Sequence, residues 1–210
     1  MPSSFDPNSF LMLLIVAVIA ITIHEFAHAI TADSLGDSTA RNQGRITLNP
    51  LAHFDPLGFF MLCLLAAGFF GFAWGRPVPV NPYALRGGRR GMALVAIAGP
   101  LSNLMQAAVA VGLMRVLGNS ADPNLLVFVS EYVRLNLLLA AFNMIPVPPL
   151  DGYNVLMGLV SNFWVQRLEP LRQQGPILLL LLVFVGGSII YPVTVEPMYY
   201  LFSRIVGAPV

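Results

Sequence analysis

Lysine does not occur in the 210 residues; all eleven basic residues are Arg. Charge of either sign is scarce, at 10% of the chain, where a soluble domain carries about a quarter. So few charges cannot coat a globular surface, and an integral membrane protein is the expected class. The net charge is +1 and no basic run exceeds Arg89-Arg90. Both facts argue against nucleic acid as a partner. Cysteine is nearly absent too. Cys63 stands alone in an apolar run, so an internal disulfide and a cysteine-built metal site are both excluded. It reads as a small buried hydrophobe. The first ten residues, MPSSFDPNSF, hold an acid and no Arg or Lys. A secretory signal wants a basic n-region and a small-residue cleavage site. The first apolar run is therefore expected to be a retained span.

What fills the chain is hydrocarbon: 57% of residues are apolar and the mean hydropathy is +0.75. Four stretches, about 9–32, 91–117, 125–145 and 176–193, approach the roughly 20 residues that cross a bilayer core as a helix. The last is the shortest. A fifth, PLGFFMLCLLAAGFFGFAWG (56–75), is apolar but rich in Gly and aromatics. The stretches DSLGDSTARNQGRITLNPLAHFDP and RPVPVNPYALRGGRR read as loops with short strands. Residues 162–175 and 196–206 mix aromatics with Arg, as interfacial segments do. The expected architecture is an all-α polytopic bundle of about four to six transmembrane segments. Short membrane-associated strands or a re-entrant segment follow its first span. One domain is expected over 1–210, with its core at about 10–160 and a C-terminal span and interfacial helices beyond.

The first span contains ITIHEFAHAI, and so His24, Glu25 and His28 in the pattern H-E-x-x-H. Positions i and i+4 share one helix face, so both imidazoles can present a nitrogen to one ion. Glu25 projects about 100° round the turn, where it can reach a water without ligating the ion. This is the division of labour of a zinc hydrolase. The blander reading is two histidines satisfied inside a helix bundle. It is weakened by the cost of ionisable groups at membrane depth, roughly 2.5–3.5 kcal/mol on insertion scales. A catalytic zinc usually has three protein ligands. Among the acids Asp151 stands out, in NMIPVPPLDGYNVL (143–156). Pro146, Pro148 and Pro149 must break the preceding helix. Irregular backbone at membrane depth is tolerated where it lines a protein cavity or water. Read alone, Asp151 is better explained as a solvated residue of a plain exit loop.

HEFAHA, GPLSN (99–103) and N-x-x-P-x-P-P-L-D-G (143–152), in that order, together resemble the site-2 proteases, intramembrane zinc peptidases. GRITLNPLAHFDPLG and RPVPVNPYALR are similar to the short, bacterial-type branch without a PDZ domain. The resemblance runs from about residue 10 to 160. It implies one zinc per chain held by His24, His28 and Asp151, with Glu25 as general base. It places Asn143 where the family has a polar residue that steadies substrate or its oxyanion, and Asn103 beside the same cavity. His53 has two readings: a cavity-edge group that binds a substrate carbonyl or orients a ligand, or a histidine bonded to Asp55 or a backbone carbonyl. The implied partners are a transmembrane-helix substrate, the bilayer, and either a second copy or an adaptor protein. The implied location is a bacterial or archaeal cell membrane.

Parity refines the topology. His24 and Asp151 must meet at one depth, near the C-terminal parts of their spans, so those spans run parallel and an odd number of crossings separates them. Arg41 and Arg45 precede the 56–75 stretch, and Arg76, Arg86, Arg89 and Arg90 follow it. The positive-inside rule puts both flanks in the cytosol. The stretch is therefore expected to be re-entrant, with the active site toward the cytosolic side. Two rivals remain: an inactive family member that binds partner helices, and a peptidase whose third ligand is Glu131. Glu131 lies near the outer end of its span and pairs better with Arg134.

Overall fold

The computed structural model describes residues 6–69, 73–117, 122–190, 192 and 195–206. Parts of two expected segments, 70–72 and residues 191 and 193, lie outside these. Three long helices carry the fold: α1 (Pro7–Ser34), α4 (Arg89–Leu117) and α5 (Pro123–Asn143). Each is long and apolar enough to cross a membrane. Between α1 and α4 lie the short α2 (Thr39–Asn42), a 3-10 turn (Pro50–His53) and α3 (Pro56–Ala66). After α5 come α6 (Asp151–Leu159), α7 (Asn162–Leu168), α8 (Gly175–Ile190) and α9 (Glu196–Val206). α8 thus takes in residues 176–190 of the fourth expected span.

Local chemistry sets the helix ends. Asp6 accepts hydrogen bonds from the backbone N–H of Asn8 and Ser9, and Pro7 fills the first position of α1. Asp122 and Pro123 repeat the device at α5. Such caps satisfy amides that have no partner in the first turn, worth about 1 kcal/mol each.

Small residues let the long helices approach closely, the usual means of packing where oil surrounds the bundle. Ala107, Ala110 and Val111 of α4 meet Val129, Val133 and Leu137 of α5. Val16, Ala17 and Ala20 of α1 are also buried. Large apolar side chains such as Ile15, Val109 and Val116 face outward, as a lipid-exposed surface requires.

In the 56–75 stretch α3 has 11 residues, about 16 Å of helix. The N–H of Arg76 donates to the carbonyl of His53 at 2.8 Å. A Cβ on Gly58 would lie 2.1 Å from the Trp74 carbonyl oxygen. The two ends of the segment therefore lie side by side. Among the described residues no strand forms. The stretches GRITLNP and PVPV, where strands were expected, pair with no neighbour as strands; side chains take up the carbonyls of Arg76 and Pro77 and the N–H of Val78.

Candidate metal centre

α1 places His24 and His28 one turn apart on its buried face. α5 ends at Asn143, and a tight proline-rich turn leads to Asp151, the first residue of α6. The break expected from the prolines is therefore a restart, with the carboxylate at a helix N-terminus, where the helix dipole favours negative charge. Gly152 makes the restart feasible. A Cβ there would fall 2.2 Å from the Met144 carbonyl oxygen, so only glycine lets α6 lie against the end of α5. Arg89 of α4 donates to the Met157 carbonyl at the far end of α6 and holds that helix against α4.

These elements bring three donor atoms together. The Nε2 atoms of His24 and His28 are 3.0 Å apart. Asp151 Oδ2 lies 3.3 Å from the first and 3.4 Å from the second. Each imidazole is held from behind. His28 Nδ1 donates to the Val95 carbonyl at 2.7 Å, and His24 Nδ1 donates to Asn103 Oδ1 at 2.6 Å. With its proton on Nδ1, a neutral histidine has a bare lone pair on Nε2. Asp151 Oδ2 is buried and accepts no hydrogen bond. With both imidazoles neutral and protonated on Nδ1, three lone pairs would converge here, an arrangement that a cation stabilises. The spacing suits that cation. Ligands at about 2.0–2.1 Å in tetrahedral array stand roughly 3.3 Å apart. The set of two imidazoles and a carboxylate, open on its fourth side, is the type a catalytic zinc uses.

The triad opens on a cavity of about 730 Å³, also lined by Glu25, Asn143 and Val78. Glu25 Oε2 accepts from the Val78 N–H at 3.1 Å. Asn143 gives one amide hydrogen to the Leu139 carbonyl at 3.0 Å and faces the cavity. Of the other expected site residues, Asn103 and His53 are not among those lining the cavity. Asn103 is fully buried behind His24. His53 is buried, with Nε2 bonded to the Thr47 carbonyl at 2.9 Å, which matches the backbone-carbonyl reading. Asp55 instead caps α3 through the Gly58 N–H at 2.7 Å. Glu131 is 3.6 Å from Arg134 and away from the metal donors.

Two contributors were not foreseen. Gly99 of α4 sits under the histidines, where a Cβ would lie 2.4 Å from His28 Nε2 and 2.6 Å from His24 Cε1. Arg45 is buried and donates to the carbonyls of Arg76, at 2.5 Å, and Pro77, at 3.3 Å. It thereby fixes the extended segment that carries the Val78 N–H to Glu25. Burial lowers the proton affinity of Arg45, against the opposing charge of Glu25; a guanidinium stays charged regardless.

No family model matches the chain, and no solved structure matches it. Curated relatives do. The chain is 37% identical over 190 residues to "Putative zinc metalloprotease YwhC" of Bacillus subtilis, covering 86% of this chain and 84% of that one. It is 32% identical over 180 residues to "Putative zinc metalloprotease Rip2" of Mycolicibacterium smegmatis, covering 83% and 67%. It is 30% identical over 155 residues to "Putative zinc metalloprotease MJ0611" of Methanocaldococcus jannaschii, covering 71% and 73%. By these relationships the chain belongs to the site-2 protease family of zinc metalloproteases.

Proposed function

We propose that this protein is an intramembrane zinc endopeptidase that cuts peptide bonds within or near transmembrane helices of membrane proteins. The observation that carries the reading is the convergence of His24, His28 and Asp151, buried between apolar helices, on a cavity that also holds Glu25. One zinc per chain would be held by His24 Nε2, His28 Nε2 and Asp151 Oδ2. When bound, zinc polarises a carbonyl and makes water more acidic.

The chain's own residues supply the rest. Glu25 takes the proton of the attacking water and passes it to the leaving nitrogen. The Val78 N–H holds the Glu25 carboxylate toward the cavity. Asn143 offers a polar contact to the substrate or to its developing oxyanion. A helical substrate must first unwind, because its scissile carbonyl is already hydrogen-bonded within the helix. The extended segment 77–80 beside the cavity is a place where the unwound stretch can lie alongside by strand addition. The re-entrant hairpin leaves one crossing, α4, between α1 and α5. That makes α1 and α5 parallel and brings His24 and Asp151 to one depth. With the Arg-rich flanks in the cytosol, the chain is multi-pass and its site faces the cytosolic side. Selection among substrates falls to the membrane core, the loops, or an adaptor or second copy.

The test is co-expression with a panel of tagged single-span membrane proteins. Wild type is expected to shorten one or more of them. Glu25→Gln is expected to bind zinc as wild type does and to cut none. Cutting by Glu25→Gln would overturn the assignment of the base. A wild type that binds zinc but cuts nothing in the panel would favour an inactive helix-binding relative.

A further inference from the structure

Behind His24 runs a line of side chains that plays no direct part in the chemistry above. His24 Nδ1 meets Asn103 Oδ1 at 2.6 Å. Asn103 Nδ2 donates to Asn136 Oδ1 at 2.8 Å. Asn136 Nδ2 donates to the Tyr132 carbonyl at 2.9 Å. Both amides are 0% exposed, one on α4 and one on α5. Polar side chains so deep in apolar helices are costly unless fully bonded, and they mark function by default.

An asparagine amide can present either its oxygen or its NH₂ to a neighbour. Facing His24 the two choices have opposite consequences. An oxygen demands a proton on Nδ1 and leaves Nε2 bare for a metal. An NH₂ group demands a bare Nδ1 and moves the proton to Nε2, into the metal site. His28 has no such ambiguity, because its partner is the Val95 backbone carbonyl, which can only accept.

We infer that Asn103 and Asn136 form a relay that fixes His24 in its metal-binding tautomer, with the backbone carbonyl of Tyr132 as the fixed point. The logic runs outward from that carbonyl. It can only accept, so Asn136 must turn its NH₂ toward it. The Asn136 oxygen then faces Asn103 and draws the NH₂ of that amide. The Asn103 oxygen is left for His24, which must carry its proton on Nδ1. Three hydrogen bonds transmit one orientation from α5 through α4 to α1. Both asparagines are positioning residues, and the inference rests on the zinc site proposed above.

The test is zinc affinity in detergent, measured by competition with a chromophoric chelator. Asn136→Leu removes the partner of Asn103 and frees its amide to turn. It is expected to weaken zinc binding about 10- to 100-fold, as loss of a supporting partner typically does. The decisive variant is the double substitution Asn103→Asp with Asn136→Leu. A carboxylate can only accept, so it needs no instruction from residue 136. The double variant is expected to recover most of the affinity lost in Asn136→Leu, although it is the more heavily altered protein. A merely structural role would not be rescued in this way. Should Asn136→Leu fail to fold, Asn136→Ala reads the same quantity. Unchanged affinity in a folded position-136 variant, or a loss that Asn103→Asp deepens, would overturn the relay. Absence of zinc binding in the wild type would instead strike the metal site itself.

Discussion

Gly99→Ala adds a single methyl group at the centre of the site, and its effect can be worked from the structure. The new carbon would lie 2.4 Å from His28 Nε2, 2.5 Å from His28 Cε1 and 2.6 Å from His24 Cε1. Carbon and nitrogen atoms in contact prefer roughly 3.5–4 Å. The rings or α4 must therefore retreat by about 1 Å. The rings cannot retreat freely, because Asn103 and Val95 hold their far nitrogens at 2.6 and 2.7 Å. Overpacking of this kind costs typically 1–3 kcal/mol. Alanine in a helix recovers up to about 1 kcal/mol relative to glycine, so the fold should survive. The metal site should not, because two ligands are displaced together. We expect zinc affinity to fall at least about 100-fold, equivalent to roughly 2.7 kcal/mol. Chelator competition on the detergent-purified protein measures it, with thermal unfolding as the check on the fold. Gly112→Ala is the internal control. It lies in the same helix, and a Cβ there meets nothing within 4 Å. That variant should keep wild-type zinc affinity and be equally or slightly more stable. Wild-type zinc affinity in a folded Gly99→Ala protein would refute the placement of α4 against the histidines.

Two further outcomes follow from the loops. The buried Asp37 carboxylate accepts from the N–H groups of Thr39, at 3.0 Å, and Asn81, at 2.6 Å, and from the Thr39 hydroxyl. Burial pushes its pKa up, but these bonds outweigh burial and hold it below the usual 3.8. A depressed folded value means stability that is present above pH 3.8 and lost as pH falls through the folded value. Asp37→Ala should cost about 1–3 kcal/mol at neutral pH by removing three hydrogen bonds to a charged group, and its melting temperature should lose the acid-side decline specific to this group. An identical pH profile in wild type and variant would count against it. Arg45→Met should release the carbonyls of residues 76 and 77 while leaving zinc content unchanged. Elastase should then cut after Val80 at least about tenfold faster, since 1.4 kcal/mol of lost local stability gives that factor. An unchanged cutting rate would show that Arg45 does not hold the segment.

The chemistry of the site was more legible in the sequence than its supports. His24, Glu25 and His28 are readable because helical periodicity places them without knowledge of the fold. Asp151 is readable through the family resemblance of N-x-x-P-x-P-P-L-D-G, since the three prolines by themselves mark only where the apolar helix must stop. Arg on both flanks of 56–75 carries the re-entrant expectation, and the structure brings the two ends of that stretch together through the Arg76 N–H to His53 carbonyl hydrogen bond. The supports answer to tertiary contacts. Gly99 is conspicuous only once α4 lies across α1. Arg45 bonds to backbone carbonyls, which leave no trace in side-chain identity. Asn136 had a signal, a lone amide within VRLNLLLAA, and polarity at that depth warrants a functional reading. Its partner Asn103 was noticed but expected at the cavity, because sequence cannot tell whether a polar side chain points toward a site or stands behind it. The strands expected around GRITLNP and PVPV did not form among the described residues; in the second, the Val78 N–H and the neighbouring carbonyls are taken by Glu25 and Arg45.

The central claim is that His24, His28 and Asp151 hold one zinc ion. The most direct measurement is zinc per protein in detergent-purified wild type and Asp151→Ala, each shown to be folded by its unfolding transition. The account predicts about one zinc in the wild type and clear loss in the variant, because three bare lone pairs then become two. No zinc in a well-folded wild type, or a full complement in Asp151→Ala, would contradict it.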